Sequence, residues 1–212
     1  MIYPALSVII VTLNAEKYLS ECLRCLSIQE YPEEKIEILV VDGGSTDKTL
    51  AIAKDYGCRI INGGYRDNQE ARRYVGYKNA NNEILVYIDS DNYLPAVNWL
   101  KKMVLPFLED QSIVASQTLR YGYNKSHSLM NRYFALFGFN DPVVYALGKT
   151  DRLAWFNENW NLLGKVVENR EKYYVVEFKA EALPTIGCNG FLIKKKYFDE
   201  VCSNAEQFFH TI

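Results

Sequence analysis

Three β-branched runs, each closing on polar or acidic residues, constrain this chain more than any other feature. They are Leu6-Ser7-Val8-Ile9-Ile10-Val11-Thr12-Leu13, Ile36-Glu37-Ile38-Leu39-Val40-Val41 and Ile84-Leu85-Val86-Tyr87-Ile88. Near-continuous apolar runs of this length are typical of strands covered on both faces, as in a parallel sheet. Helical patterns separate them. Ala15 to Glu30 places Tyr18, Leu19, Cys22, Leu23 and Leu26 on one stripe and stops before Pro32. Thr46 to Tyr56 is a second helix, with Ser45 or Thr46 as cap and Gly57 at its end, and Gln69 to Asn79 a third. The order βαβαβαβ predicts a doubly wound α/β sheet with right-handed crossovers.

In such sheets the ligand sits outside the carboxyl ends of the strands. The residues at those ends are Thr12-Leu13-Asn14, Asp42-Gly43-Gly44-Ser45-Thr46-Asp47 and Asp89-Ser90-Asp91-Asn92. Two carboxylates one residue apart cannot both enter an apolar sheet unpaired, so Asp89 and Asp91 face a cleft, a cation or solvent. Hard divalent cations take one or two carboxylates plus substrate phosphates. An isolated Asp-x-Asp is more readily read as a solvated turn. Asp42 strengthens the ligand-site reading, because three acids on one rim repel each other unless a cation or hydrogen-bond donor is part of the design.

Beyond Pro95 the pattern loosens. Val97 to Leu108 reads as a helix, Ile113 to Leu119 and Tyr173 to Phe178 as strands, and Lys195 to Cys202 as a short helix. Residues 186–193 read as a glycine-bearing loop entering a strand, and 124–164 show no clean period. Aromatic residues crowd into the stretch from Tyr121 to Tyr174, suited either to a wet apolar boundary or to a Tyr-rich core. The 212 residues, 49% hydrophobic and 24% charged, suit one globular domain with a variable second half, and the net charge of −2 offers no global field for nucleic acid. Of five cysteines, Cys22 and Cys25 form a lone CxxC without the four-ligand spacing of a structural zinc site. Cys58, Cys188 and Cys202 complete the set, all expected to be reduced thiols. No run reaches the roughly 18–20 apolar residues of a membrane-spanning helix, and no secretory signal opens the chain, so a cytoplasmic location is expected.

These motifs together carry a resemblance. Leu6 to Leu108 resembles the nucleotide-binding half of an inverting glycosyltransferase of family 2, with the GT-A fold: a Rossmann-like, mostly parallel sheet flanked by helices, with a smaller mixed acceptor-side region. The matching segments are Ser7 to Asn14, Val40 to Asp47, Gln69-Glu70-Ala71-Arg72-Arg73 and Glu83 to Asp91. Gly187-Cys188-Asn189-Gly190-Phe191-Leu192-Ile193-Lys194-Lys195 is similar to the acceptor-side segment, more weakly. The resemblance implies a division into residues 1–120, binding the nucleotide-sugar, and 121–212, the acceptor-side half of the same domain.

It also implies roles. Thr12, Asn14 and Glu16 would line the nucleoside pocket, Asp42 would accept a hydrogen bond from the base, and Arg72 would lie against the base or reach the diphosphate, with Arg73 as its alternative. Asp89, beside Ser90, would sit near the ribose and metal, and Asp91 would ligate Mn2+ or Mg2+. Gly187, Asn189 and Gly190 would stand on the sugar or acceptor side. The donor would be a UDP- or GDP-linked sugar and the acceptor a saccharide or lipid-linked hydroxyl.

The base that inversion requires is not evident. Asp199 and Glu200 are weak candidates, each more readily read as a helix-surface acid, and the expectation is a base beyond Ile212. That leaves open a nucleotide-sugar-binding fragment without activity. A sugar-phosphate nucleotidyltransferase would need a glycine-rich basic loop after the first strand, which Thr12-Leu13-Asn14-Ala15-Glu16 is not. Lys194-Lys195-Lys196, with the aromatic stretch, are potential peripheral contacts to anionic lipid at the inner membrane face, although three such lysines are more often simply solvated.

Overall fold

The computed structural model describes residues 2–139, 142–147, 152–156, 164–179 and 189–201. The chain divides into two compact units, residues 1–117 with 188–212, and residues 118–187. The acceptor-side half expected over 121–212 is therefore itself divided, because its last segment returns to the first unit.

The first unit is a six-stranded sheet. Strands β1 (Leu6–Thr12), β2 (Ile36–Asp42), β3 (Arg59–Asn62) and β4 (Ile84–Tyr87) are joined by helices α1 (Leu19–Ser27), α2 (Thr49–Asp55) and α3 (Gln69–Asn79). Helix α4 (Trp99–Glu109) and strand β5 (Ala115–Gln117) follow. The spatial order is β3-β2-β1-β4-β8-β5, where β8 is Phe191–Lys194. The β1–β2, β1–β4 and β2–β3 pairs are parallel, and β8 runs antiparallel between β4 and β5. Helix α7 (Lys195–Val201) closes the described chain.

Alternation along the strands explains the continuous apolar runs. Val8, Ile10, Val40 and Val86 face a core shared with Leu19, Leu23 and Leu26 of α1 and Leu100, Val104 and Phe107 of α4. Ile9, Val11, Leu39, Val41 and Leu85 face the opposite side, where Tyr77 of α3 packs. Both faces are dry, so neither needs a polar residue. Helix α3 approaches unusually closely. A Cβ on Gly76 would stand 2.4 Å from Ile9 Cγ2.

In the second unit, α5 (Leu129–Phe137) and α6 (Pro142–Ala146) precede an antiparallel pair, β6 (Lys165–Arg170) with β7 (Tyr173–Glu177). Ser128 caps α5 by accepting from Asn131 N, and Gly138 ends it at φ 74°. Its aromatic residues pack on one another: Phe137 stacks on Phe156 at 5.5 Å and Phe139 meets Tyr145 at 4.8 Å. Among the described residues no helix is long and apolar enough to cross a membrane.

Candidate active site

Register brings the polar strand ends to one edge of the first unit. Thr12 pairs with Asp42 and Asp42 with Asn62, while Asp89 follows two residues after Tyr87, the partner of Ile9. Gly190 N donates to Tyr87 O at 3.1 Å, which sets Asn189 and Gly190 beside the same end of β4.

Asp42 is the organising residue of the β2–α2 turn. Its Oδ2 accepts from Gly44 N at 2.8 Å and Ser45 N at 2.7 Å, and its Oδ1 from Thr12 Oγ1 at 3.0 Å and from the Ser45 hydroxyl. Burial, with only 5% of the residue exposed, works against its charge. The bonds from Ser45, Gly44 and Thr12 outweigh that penalty and hold its carboxyl below the usual carboxylate range. The Asp-x-x-Ser turn is thus made by residues whose spacing was visible in the sequence, though Ser45, expected there as a candidate helix cap, instead donates to Asp42.

The β1–α1 loop is tied to this turn. Asn14, in the left-handed region at φ 51°, donates its N–H to Ser45 Oγ at 2.8 Å and accepts from Thr46 N at 2.9 Å. Glu16 N donates to Asp47 Oδ2 at 3.1 Å, and Glu16 Oε2 accepts from Lys48 N at 3.0 Å. Ala15 N donates to Thr49 Oγ1 at 2.7 Å. Thr12, Asn14 and Glu16 therefore stand together at the edge, with Asn14 and Glu16 exposed and Thr12 buried.

The two arginines of α3 separate by one residue and by function. Arg72 is buried, and its Nη1 donates to the carbonyls of Tyr65 and Arg66, both at 2.7 Å. A Cβ on Gly43 would lie 2.9 Å from that same Nη1, and one on Gly63 3.1 Å from Arg72 Cδ. The two glycines thus leave the space in which Arg72 passes under the turn. Burial lowers the Arg72 pKa, with Asp42 opposing the shift. Placed so, Arg72 ties the loop after β3 to the underside of the β2–α2 turn. Arg73 reaches the rim instead, its Nη2 2.6 Å from Asp89 Oδ1.

Asp89 and Asp91 bracket a tight turn. Asn92 Oδ1 accepts from Asp89 N at 3.2 Å while Asn92 N donates to Asp89 O at 2.9 Å. Asn92, not singled out by sequence reasoning, is the clamp of this turn; its three-residue spacing from Asp89 was the available signal. Ser90 is half-buried between the two acids, and Asp91 is exposed. Beneath the turn lies Cys22, whose Sγ stands 3.7 Å from Asp89 O. Burial, then the nearby Cys25 and Asp91, pushes its thiol up to about 12, so it stays neutral. Cys22, Cys25 and Cys58 are free thiols.

Among the described residues no group of three His, Cys, Asp or Glu side chains could hold a metal ion. Asp42 is absorbed in its own turn, which leaves the Asp89–Asp91 pair. That suits a hard cation that keeps several waters and completes its shell with phosphate oxygens.

Asp199 lies elsewhere. It lines a cavity of about 610 Å³ with Pro4, Asn82, Ile84, Lys194 and Lys196, at the opposite, amino end of β4, and accepts from the Tyr77 hydroxyl. At 3.3 Å per residue, the length of β4 puts it about 10 Å or more from the rim, too far for a base that must reach a hydroxyl bound there. The candidacy of Asp199 is thereby corrected: β8 runs antiparallel to β4, so α7 begins beside Glu83, at the end of β4 opposite the acids. The side chain of Glu200, together with Gly187, Cys188, Cys202 and His210, lies outside the described residues.

Residues 7–180 match the family described as Glycosyl transferase family 2. The poly(ribitol-phosphate) beta-N-acetylglucosaminyltransferase TarS of Staphylococcus aureus is 36% identical over 96 residues, 42% of this chain and 16% of that protein. A dolichyl N-acetyl-alpha-D-glucosaminyl phosphate 3-beta-D-2,3-diacetamido-2,3-dideoxy-beta-D-glucuronosyltransferase of Methanococcus voltae is 35% identical over 109 residues, 47% of this chain and 32% of that protein. The chain thus matches a third or less of the length of these relatives. The crystal structure of TarS 1-349 in complex with UDP-GlcNAc aligns with a TM-score of 0.50 at 28% identity, covering 59% of this chain and 36% of that one. A Pyrobaculum calidifontis mannosyltransferase, solved with GDP-Man and Mn2+, shares the fold with a TM-score of 0.58 at 18% identity, over 93% of this chain and 46% of that one.

Proposed function

The chain belongs to glycosyl transferase family 2, its first unit has the GT-A fold, and we propose that it transfers a sugar from a UDP- or GDP-linked donor to an acceptor hydroxyl, with inversion at the anomeric carbon. The observation that carries this reading is the single edge on which Thr12, Asn14, Glu16, Asp42, Asp89 and Asp91 meet, within the segment that matches the family. The UDP-GlcNAc held by TarS supports a nucleotide-sugar as the donor.

The residues divide the work by position. The β1–α1 and β2–α2 loops, stitched through Asn14, Ser45 and Glu16, form a pre-ordered wall for the nucleoside. The Asp42 carboxylate, kept ionised by its donors, offers an acceptor to the base edge once Ser45 or Thr12 yields one of its bonds. Arg72 holds the floor of that wall. Asp89 and Asp91 would hold Mn2+ or Mg2+ against the diphosphate, and such an ion, when bound, supplies Lewis-acid stabilisation of the charge that grows on the departing nucleotide. Asn189 and Gly190, beside the end of β4, stand where the sugar emerges, on the acceptor side.

Titration calorimetry with UDP and GDP, each with and without Mn2+, tests the assignment. The unsubstituted protein is expected to bind one of them more tightly when Mn2+ is present. Asp91→Ala is expected to lose that enhancement while its thermal midpoint stays within a few degrees, since Asp91 is exposed. Equal enhancement in the variant removes Asp91 from the metal site.

A further inference from the structure

Charge at the rim is held unequally. Asp91 faces solvent with one long contact, from the Asn92 amide at 3.5 Å, whereas Asp89 is already engaged by a cation. The Arg73 Nη2–Asp89 Oδ1 pair is 2.6 Å long, with side-chain exposures of 11% and 27%. Other groups fix the same guanidinium. The Glu70 carboxylate bonds Nη1, and the Gln69 amide, turned so that its oxygen faces the arginine, accepts from Nη1 at 3.1 Å and Nη2 at 2.6 Å. A planar fork can satisfy several oxygens at once, and a lysine cannot do so in the same way. Its position is costly to a second cation: it occupies a lone-pair direction on Asp89 and adds a unit charge at short range in a half-buried site.

We propose that Arg73 is a positioning residue that competes with the divalent ion for Asp89, so that only the fraction of molecules with the pair open binds the ion well. The proposal rests on the donor-site reading above, in which Asp89 and Asp91 hold the ion. If the pair is open in about a tenth of molecules, apparent ion affinity falls about tenfold below that of the open form. Metal occupancy would then be low until a diphosphate supplies further ligands. Arg73 would in this way suppress ion binding at an empty donor site.

The test counts free Mn2+ by the electron paramagnetic resonance of its aquo ion, without nucleotide, against the unsubstituted protein, Arg73→Gln, Asp89→Asn and the double variant. Arg73→Gln is expected to bind Mn2+ about tenfold more tightly than the unsubstituted protein, and the gain is expected to vanish in the Asp89→Asn background. Were Arg73 only a prop that keeps Asp89 ready for metal, Arg73→Gln would bind Mn2+ more weakly. That result overturns the proposal, as does a gain that survives Asp89→Asn, which would report a general field rather than competition for this carboxylate. If Arg73→Gln does not fold, Arg73→Lys carries the test: tighter Mn2+ binding supports competition, and equal or weaker binding refutes it. Failure of the donor-site reading looks different, because Mn2+ then leaves UDP and GDP binding by the unsubstituted protein unchanged.

Discussion

Asp42 organises the turn between β2 and α2, and in the proposed reading the same carboxylate also meets the nucleoside base. Its two oxygens accept four hydrogen bonds from Thr12, Gly44 and Ser45. Because those bonds depress its folded pKa, the stability they confer is present above the unfolded value near 3.8 and is lost as pH falls through the lower, folded value. Asp42→Asn is expected to cost about 1–3 kcal/mol at neutral pH. The gap between its thermal midpoint and that of the unsubstituted protein should narrow below pH 3.8; a gap constant with pH would show that the charge is immaterial. The positions of Asp42, Asp89 and Asp91 were legible in the sequence, since each stands where an apolar run stops. The division of labour between Arg72 and Arg73 was not. Adjacent residues on a helix point about 100° apart, and which one turns inward depends on the space left by Gly43, on a different strand end, and by Gly63, in the loop before α3.

At the scale of elements, periodicity located β1, β2, β4 and the helices between them, but not every boundary. Helix α2 begins at Thr49 rather than Thr46: Thr46 N and Lys48 N donate to Asn14 and Glu16 of the β1–α1 loop, and Asp47 Oδ1 accepts from Thr49 N, so residues 46–48 form a capping turn ahead of the helix. Strand β3 was not singled out as a run because it is largely exposed at the sheet edge and has no second face to make apolar. The region 124–164 offered no period, and the structure shows why for α5: its aromatic residues pack against neighbours in the same unit rather than forming a stripe against a sheet. Helix α3 supplies the sharpest test of element packing. Gly76→Ala gains about 1 kcal/mol of helix propensity but forces a methyl toward Ile9 and Val41, which costs about 1–3 kcal/mol. A thermal midpoint lower by several degrees is expected, and a higher one would mean that α3 can lift from the sheet freely.

For the whole molecule, the sequence suggested that the second half is a single acceptor-side region, whereas β8 and α7 complete the first unit. No local pattern could reveal that a four-residue strand from the end of the chain inserts between β4 and β5. Leu192, fully buried, and the pairing of β5 with the sheet through β8 alone predict that a chain ending at residue 187 loses the cooperative urea transition of the unsubstituted protein; retention of that transition would show the four parallel strands to be self-sufficient. The first unit also presents two chemically distinct ends: an acidic rim at the carboxyl edge, which attracts a diphosphate only through a bridging cation, and a lysine-lined cavity at the amino edge, which attracts one directly. The anomalous scattering of manganese in crystals grown with UDP and Mn2+ separates them. A peak between the Asp89 and Asp91 carboxylates and the diphosphate is the predicted result, and a diphosphate seated among Lys194, Lys195 and Lys196, with no manganese at the acids, would contradict it.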